Sequence, residues 1–128
     1  MIINPYSFVS IDPDAKAFLN ASGITDLTIS NAIDTLVKDM KTANIWTKMK
    51  AIYPMVGGTP STHKWNLKDP RDLDVAFRLS FNGGWTHSNN GALPNGTNAY
   101  ANTFLNTSLL GQNDSHISYY SRNNVVGA

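Results

Sequence analysis

Apolar positions recur every three or four residues over the first third of the chain and every second residue beyond it. Ile29, Ala32, Ile33, Leu36, Val37, Met40 and Ala43 keep the i, i+3, i+4, i+7 spacing without a break, and Ser30, Asn31, Asp34, Thr35, Lys38, Asp39 and Lys41 fall between them. That pattern predicts one amphipathic helix of about four turns, capped by Thr28 and ended near Asn44, with its apolar face against another surface. Asp34 stands four residues before Lys38, the favourable order for a helical ion pair. Ahead of it, Asp12-Pro13-Asp14 reads as a helix start. Asp accepts from free amides, Pro fits the first turn, and the second Asp favours the positive end of the dipole. Ala15, Phe18 and Leu19 supply a short apolar face, and Gly23 a stop.

From Lys48 onward the pattern predicts strands. Lys48–Tyr53 has strand bulk, limited to an edge or a bend by Pro54. Gly57-Gly58-Thr59-Pro60 reads as a loop and Thr62–Leu67 as a second strand. In the third, Val75, Phe77, Leu79 and Phe81 alternate with Ala76, Arg78 and Ser80. Asn82-Gly83-Gly84 turns it, and a long loop follows from Trp85 to about Asn98. Tyr100–Leu105 and His116–Ser121 are later strand candidates. The expected fold class is α+β: N-terminal helices, then a mainly antiparallel β-sheet. The expected organisation is an extended arm over 1–11, a helical part over 12–44 and a β-rich part over 45–128. Four or five short strands do not close a sandwich, and unpaired edges invite another chain. The sheet is therefore expected to be completed by partner subunits or by further sequence.

At 128 residues the chain suits a single domain. Its net charge of +1 gives no drive toward nucleic acid or membranes. No apolar run approaches the length of a membrane span, and Met1–Ile11 lacks the features of a signal peptide. There is no cysteine, which excludes disulfides, thiolate metal sites and cysteine nucleophiles. There is no glutamate either, so chemistry that needs a Glu pair cannot run here. The 15 Asn, 11 Ser and 11 Thr point to a turn-rich, neutral polar surface.

Candidate chemistry is sparse. His63, His87 and His116 lie far apart with no partner at ligand spacing, and zinc needs three or four converging ligands. The acids of Asp69-Pro70-Arg71-Asp72-Leu73-Asp74 do not fit a calcium loop. They read as a turn whose charges Lys68 and Arg71 neutralise. No metal and no cofactor is expected. There is no nucleophile elbow and no phosphate loop, so no enzyme is expected. The most suggestive loop is Trp85-Thr86-His87-Ser88-Asn89-Asn90. An indole to stack a sugar beside imidazole and amide groups makes Trp85, His87 and Asn89 a candidate glycan site. The competing reading of Trp85 is a packing plug.

Three stretches carry a resemblance. The first is Ile45-Trp46-Thr47-Lys48-Met49-Lys50-Ala51-Ile52-Tyr53-Pro54, continuing through Gly57-Gly58-Thr59 and Thr62-His63-Lys64. The second is Asn66-Leu67-Lys68-Asp69-Pro70-Arg71-Asp72-Leu73-Asp74. The third is Phe81-Asn82-Gly83-Gly84-Trp85-Thr86-His87-Ser88, with Gly91-Ala92, Pro94-Asn95-Gly96-Thr97 and Tyr119-Tyr120-Ser121-Arg122. Together they resemble a segment of virion structural proteins of tailed bacteriophages, of the tail-fibre or head-fibre kind. There the segment leads into a concanavalin A-like, laminin G-like jelly-roll sandwich. The resemblance covers roughly residues 12 to 124. It implies a particle-proximal anchoring section of a fibre on the virion surface, contacting portal, collar, tail or capsid proteins. It further implies a homo-oligomer, with three-fold symmetry expected from fibres in general. The family's sandwich runs past the equivalent of Ala128, which fits an N-terminal section. Within this reading Ile2, Ile3, Tyr6 and Phe8 belong to a docking arm, and Ile29, Ile33, Leu36, Val37 and Met40 pack on the sheet or on sister copies. The alternative is a lectin-like module for host-surface glycans.

Overall fold

Asp12 and Gly23 bound the first helix as their chemistry requires. The computed structural model describes residues 10–122. Helix α1 spans Pro13–Ser22; the Asp12 carboxylate accepts from the Asp14 amide, and Gly23 adopts φ 69° while its N–H closes on the Leu19 carbonyl. Helix α2 spans Leu27–Thr42. Its N-cap is Asp26, two residues before the expected Thr28, and the Asp26 carboxylate accepts from the Ile29 amide at 2.9 Å. Leu27 is 77% exposed, so the helix begins before its apolar stripe does. The Asp34–Lys38 pair forms at 2.6 Å.

The two helices lie against each other and against the 46–67 segment. Ala15, Phe18, Leu19, Ile33, Val37, Trp46 and Leu67 form the core, with Ile24, Ile29, Met40, Ile52, Val56 and Trp65 packed around it. The α2 stripe therefore packs on α1 and on the 46–67 segment of its own chain rather than on a sheet. Lys41 ties the end of α2 to the start of α1, reaching Asp12 at 2.7 Å and Asp14 at 2.6 Å.

Four strand expectations are not met over their length. Over 48–53 there is no ladder: a 3₁₀ turn, Trp46–Lys48, is followed by irregular extended chain. The fully buried Asn66 side chain takes the place of a partner strand. Its Oδ1 accepts from the Ile52 amide at 3.0 Å and its Nδ2 donates to the Ala76 carbonyl at 2.9 Å. The expected strand over 62–67 is replaced by a short helix, α3, Pro60–His63. Thr59 and Thr62 exchange side-chain and backbone bonds across its first turn, a capping box with Pro at the first position. The alternation over 75–81 breaks at a 3₁₀ turn, Asp74–Ala76, after which Phe77 takes φ 60°. The stretch His116–Ser121 carries no strand.

The strands that do form are short. They are β1 (Ser80–Asn82), β2 (Trp85–Ser88), β3 (Gly91–Pro94) and β4 (Tyr100–Asn102). They make two separate two-stranded antiparallel sheets, β1 with β4 and β2 with β3. In the first, Phe81 faces Ala101; in the second, His87 faces Ala92. The hairpin β2–β3 stands where a long loop was expected. Asn89-Asn90 turns it, and Gly91, at φ 116°, supplies the backbone freedom that the turn needs. The architecture is thus a small mixed α+β domain: a helical pair, a middle segment held by side-chain bonds, and two β ribbons. No helix among the described residues is long and apolar enough to cross a membrane.

Candidate functional site

Two titratable side chains far apart in the chain meet where the middle segment meets the β2–β3 hairpin. The α3 capping box carries His63 inward at its last position, 1% exposed. Strand alternation turns Trp85 and His87 to the covered face of β2 and Thr86 and Ser88 to the exposed one. The two imidazoles meet, with His63 Nδ1 2.8 Å from His87 Nδ1. On its other side His63 Nε2 accepts from the Gly58 amide at 3.2 Å. Phe81 stands edge-on to both neighbours, with ring centres 4.7 Å from His87 and 5.2 Å from Trp85. Burial, then the charge of His87, pushes the His63 pKa down, and burial does the same to His87.

The hairpin turn fits closely over this pair. A Cβ on Gly58 would lie 2.4 Å from Asn89 Oδ1, so the loop backbone rests directly on the Asn89 side chain. The three candidate glycan residues are therefore neighbours along one hairpin, with their polar groups in different states. The Trp85 indole N–H donates to the Asn82 carbonyl at 2.9 Å and leans on Tyr100 O at 3.3 Å. His87 Nδ1 faces His63, and Asn89 is exposed at the turn. Trp85 packs as a plug between the two ribbons.

Chain separation hid the histidine pair from the sequence: His63 and His87 lie 24 residues apart and match no ligand spacing. Among the described residues no group of three or more His, Asp, Cys or Glu converges as a metal set. The acids at 69–74 are neutralised, though only partly by the residues expected. Arg71 holds Asp69, while Lys64 holds Asp72 at 2.6 Å and Arg78 holds Asp74 at 2.7 Å. Lys68 goes elsewhere: its ammonium donates to the Trp46 carbonyl and lies 4.1 Å from the centre of the Trp46 ring. Burial lowers its pKa. Tyr53 donates to the Phe77 carbonyl at 2.6 Å, and burial raises its pKa to about 12.

No protein-family model, no curated protein and no solved structure matches the chain.

Of the candidate docking residues, Ile33 and Val37 are buried in the core, Ile29 and Met40 pack against it, and Leu36 is 38% exposed. Ile2, Ile3, Tyr6 and Phe8 lie outside the described residues. A different apolar surface stands open in the second half. Ile117, Tyr119 and Tyr120 are 94%, 86% and 84% exposed, and Leu93, Tyr100 and Leu109 are exposed as well. Asp74, Val75, Phe77, Phe104 and Leu109 line an open groove of about 440 Å³. His116–Ser121 is a strand candidate by its sequence, and that pattern does not signal this exposure.

Proposed function

We propose that this chain is a structural protein of a tailed bacteriophage particle, the particle-proximal anchoring section of a tail or head fibre. Its work is assembly, not catalysis. One observation supports the reading beyond the resemblance of its three residue stretches: among the described residues the β-bearing half is made of two-stranded ribbons and leaves Leu93, Tyr100, Leu109, Ile117, Tyr119 and Tyr120 exposed. Every strand of a two-stranded sheet is an edge, and such a ribbon is marginal alone in water. Large apolar side chains standing open beside such edges favour covering by other chains.

In this reading the ribbons are one part of a jelly-roll, concanavalin A-like sandwich, completed by sister copies or by further sequence. The copies form a closed oligomer, with three-fold symmetry. Residues 1–11 dock as an extended arm on portal, collar, tail or capsid proteins, by strand addition or groove filling. The lectin-like alternative asks Trp85 for an open stacking face, whereas that ring is half-buried and packs against Phe81.

Immunodetection on purified particles tests this. An antibody against the chain should label intact particles at one fixed location, and deleting Met1–Val9 should remove the chain from particles while its circular dichroism is kept. Particles that lack the chain, or normal incorporation of the truncated chain, would contradict the reading.

A further inference from the structure

The imidazole pair has a proton arrangement that follows from its neighbours. A backbone N–H always donates, so His63 Nε2, which accepts from Gly58 at 3.2 Å, carries no proton. A neutral imidazole holds one proton, and in His63 it must sit on Nδ1. That proton points at His87 Nδ1, 2.8 Å away, which accepts it. The proton of neutral His87 is then on Nε2. One tautomer of each ring satisfies the whole run of bonds from Gly58 to His87.

A further proton has no place in it. On His87 Nδ1 it would oppose the His63 N–H across 2.8 Å. On His63 Nε2 it would oppose the Gly58 amide. No counter-charge is at hand, because residues 57–62 and all of β1, β2 and β3 contain no Asp, Lys or Arg. The rings that face the pair are Phe81 and Trp85. The nearest charged residue along the chain, Lys64, is held by Asp72 at 2.6 Å and lies over the Trp65 ring. Tyr100, on β4, is the remaining titratable group of the two ribbons, and it is 61% exposed.

We infer that His63 and His87 form a proton-sensitive latch, which holds the β2–β3 hairpin on α3 and loop 57–58 while both rings are neutral and releases it when they are charged. The helical core is unaffected, since neither histidine belongs to it.

The sign follows from linkage. Burial holds both rings below the ordinary value of 6.5 in the closed form. The open form titrates at the ordinary value, so below 6.5 it binds more protons than the closed form. The latch is therefore intact above that value and weakens as pH falls from it toward the closed-form values. Uptake of two protons raises the opening constant by up to about 100-fold per pH unit, and uptake of one by about 10-fold.

Amide hydrogen exchange of the full chain, read by NMR and normalised to the free-peptide rate at each pH, tests the latch. Between about pH 7.5 and about pH 5, Gly58 and the bonded amides of residues 85–93 should lose protection by 10-fold or more, with α1 and α2 unchanged. His87→Gln keeps an acceptor for the His63 N–H and cannot titrate, so it should at least halve the logarithmic pH dependence. In the wild type, the ring Cε1–H signals of both histidines should titrate below 6.5. Equal protection of Gly58 at both pH values would overturn the latch. So would a full wild-type pH dependence in His87→Gln, or titration of either ring at or above the ordinary value.

Discussion

Helices α1 and α2 bury Ala15, Phe18, Ile33 and Val37 to between 0% and 3% exposure, and each is closed at its start by an aspartate on its own first turn. The ribbons β1–β4 bury none of their residues, and asparagine side chains hold the turns that join them. Asn95 Oδ1 alone accepts from the amides of Thr97, Asn98 and Ala99. Asn98 Oδ1 takes the Gly84 amide, and Asn102 and Asn106 close the turns that follow. One region is thus stabilised by apolar burial within the chain. The other is shaped by local side-chain-to-backbone bonds, half-covers Phe81 and Trp85, and leaves Leu93 and Tyr100 exposed. The first region shares its core with Trp46 and Leu67 of the middle segment; the second contributes no buried residue of its own.

The comparison breaks most sharply at Phe18. Phe18→Ala removes the largest fully buried side chain and should cost about 3–5 kcal/mol, seen as a lower urea midpoint at unchanged slope. A loss under about 1 kcal/mol would deny that the helical pair holds the main core. Asn66 belongs to neither region and ties together the middle segment that lies between them in the chain. Asn66→Ala strands the Ile52 amide and the Ala76 carbonyl and should cost about 2–3 kcal/mol by the same measurement. In the ribbons, Asn95→Ala should cost only about 1 kcal/mol, because its amides are exposed and water replaces the side chain. Its larger effect should be faster amide exchange at residues 97–99.

The smallest effect comes from acid. The Lys41 ammonium bonded to Asp12 holds that carboxyl below its ordinary 3.8, assisted by the Asp14 amide. Lys38 does the same for Asp34, with the Asp12 amide. The folded values lie below the unfolded ones, so this stability is present above about 3.8 and is lost as pH falls from there through the folded values. Thermal melts below about pH 4 should therefore shift α1 and α2 only slightly, and well below the pH at which the hairpin opens.

What could be read in advance follows the same division. Asp12, Gly23 and the α2 stripe act within four residues of chain, so spacing alone places both helices. Asp26 was missed because the exposed Leu27 does not signal a helix start. Ile52, Leu67 and Leu79 alternate or cluster as strand residues do, yet their apolar character serves packing under the helices and the middle segment. Asn66, which replaces a strand partner, is one polar residue with no local signature. The hairpin at 85–94 was hidden by its Asn and Gly content, which reads as loop. His63 and His87 meet only through the tertiary fold.

Light scattering behind size-exclusion chromatography tests most directly whether the open edges and exposed apolar side chains are there to be covered. The mass of one chain is 14.0 kDa. The assembly account predicts a stable closed oligomer, at three times that mass for the symmetry proposed. A monomer that persists as concentration rises would contradict it.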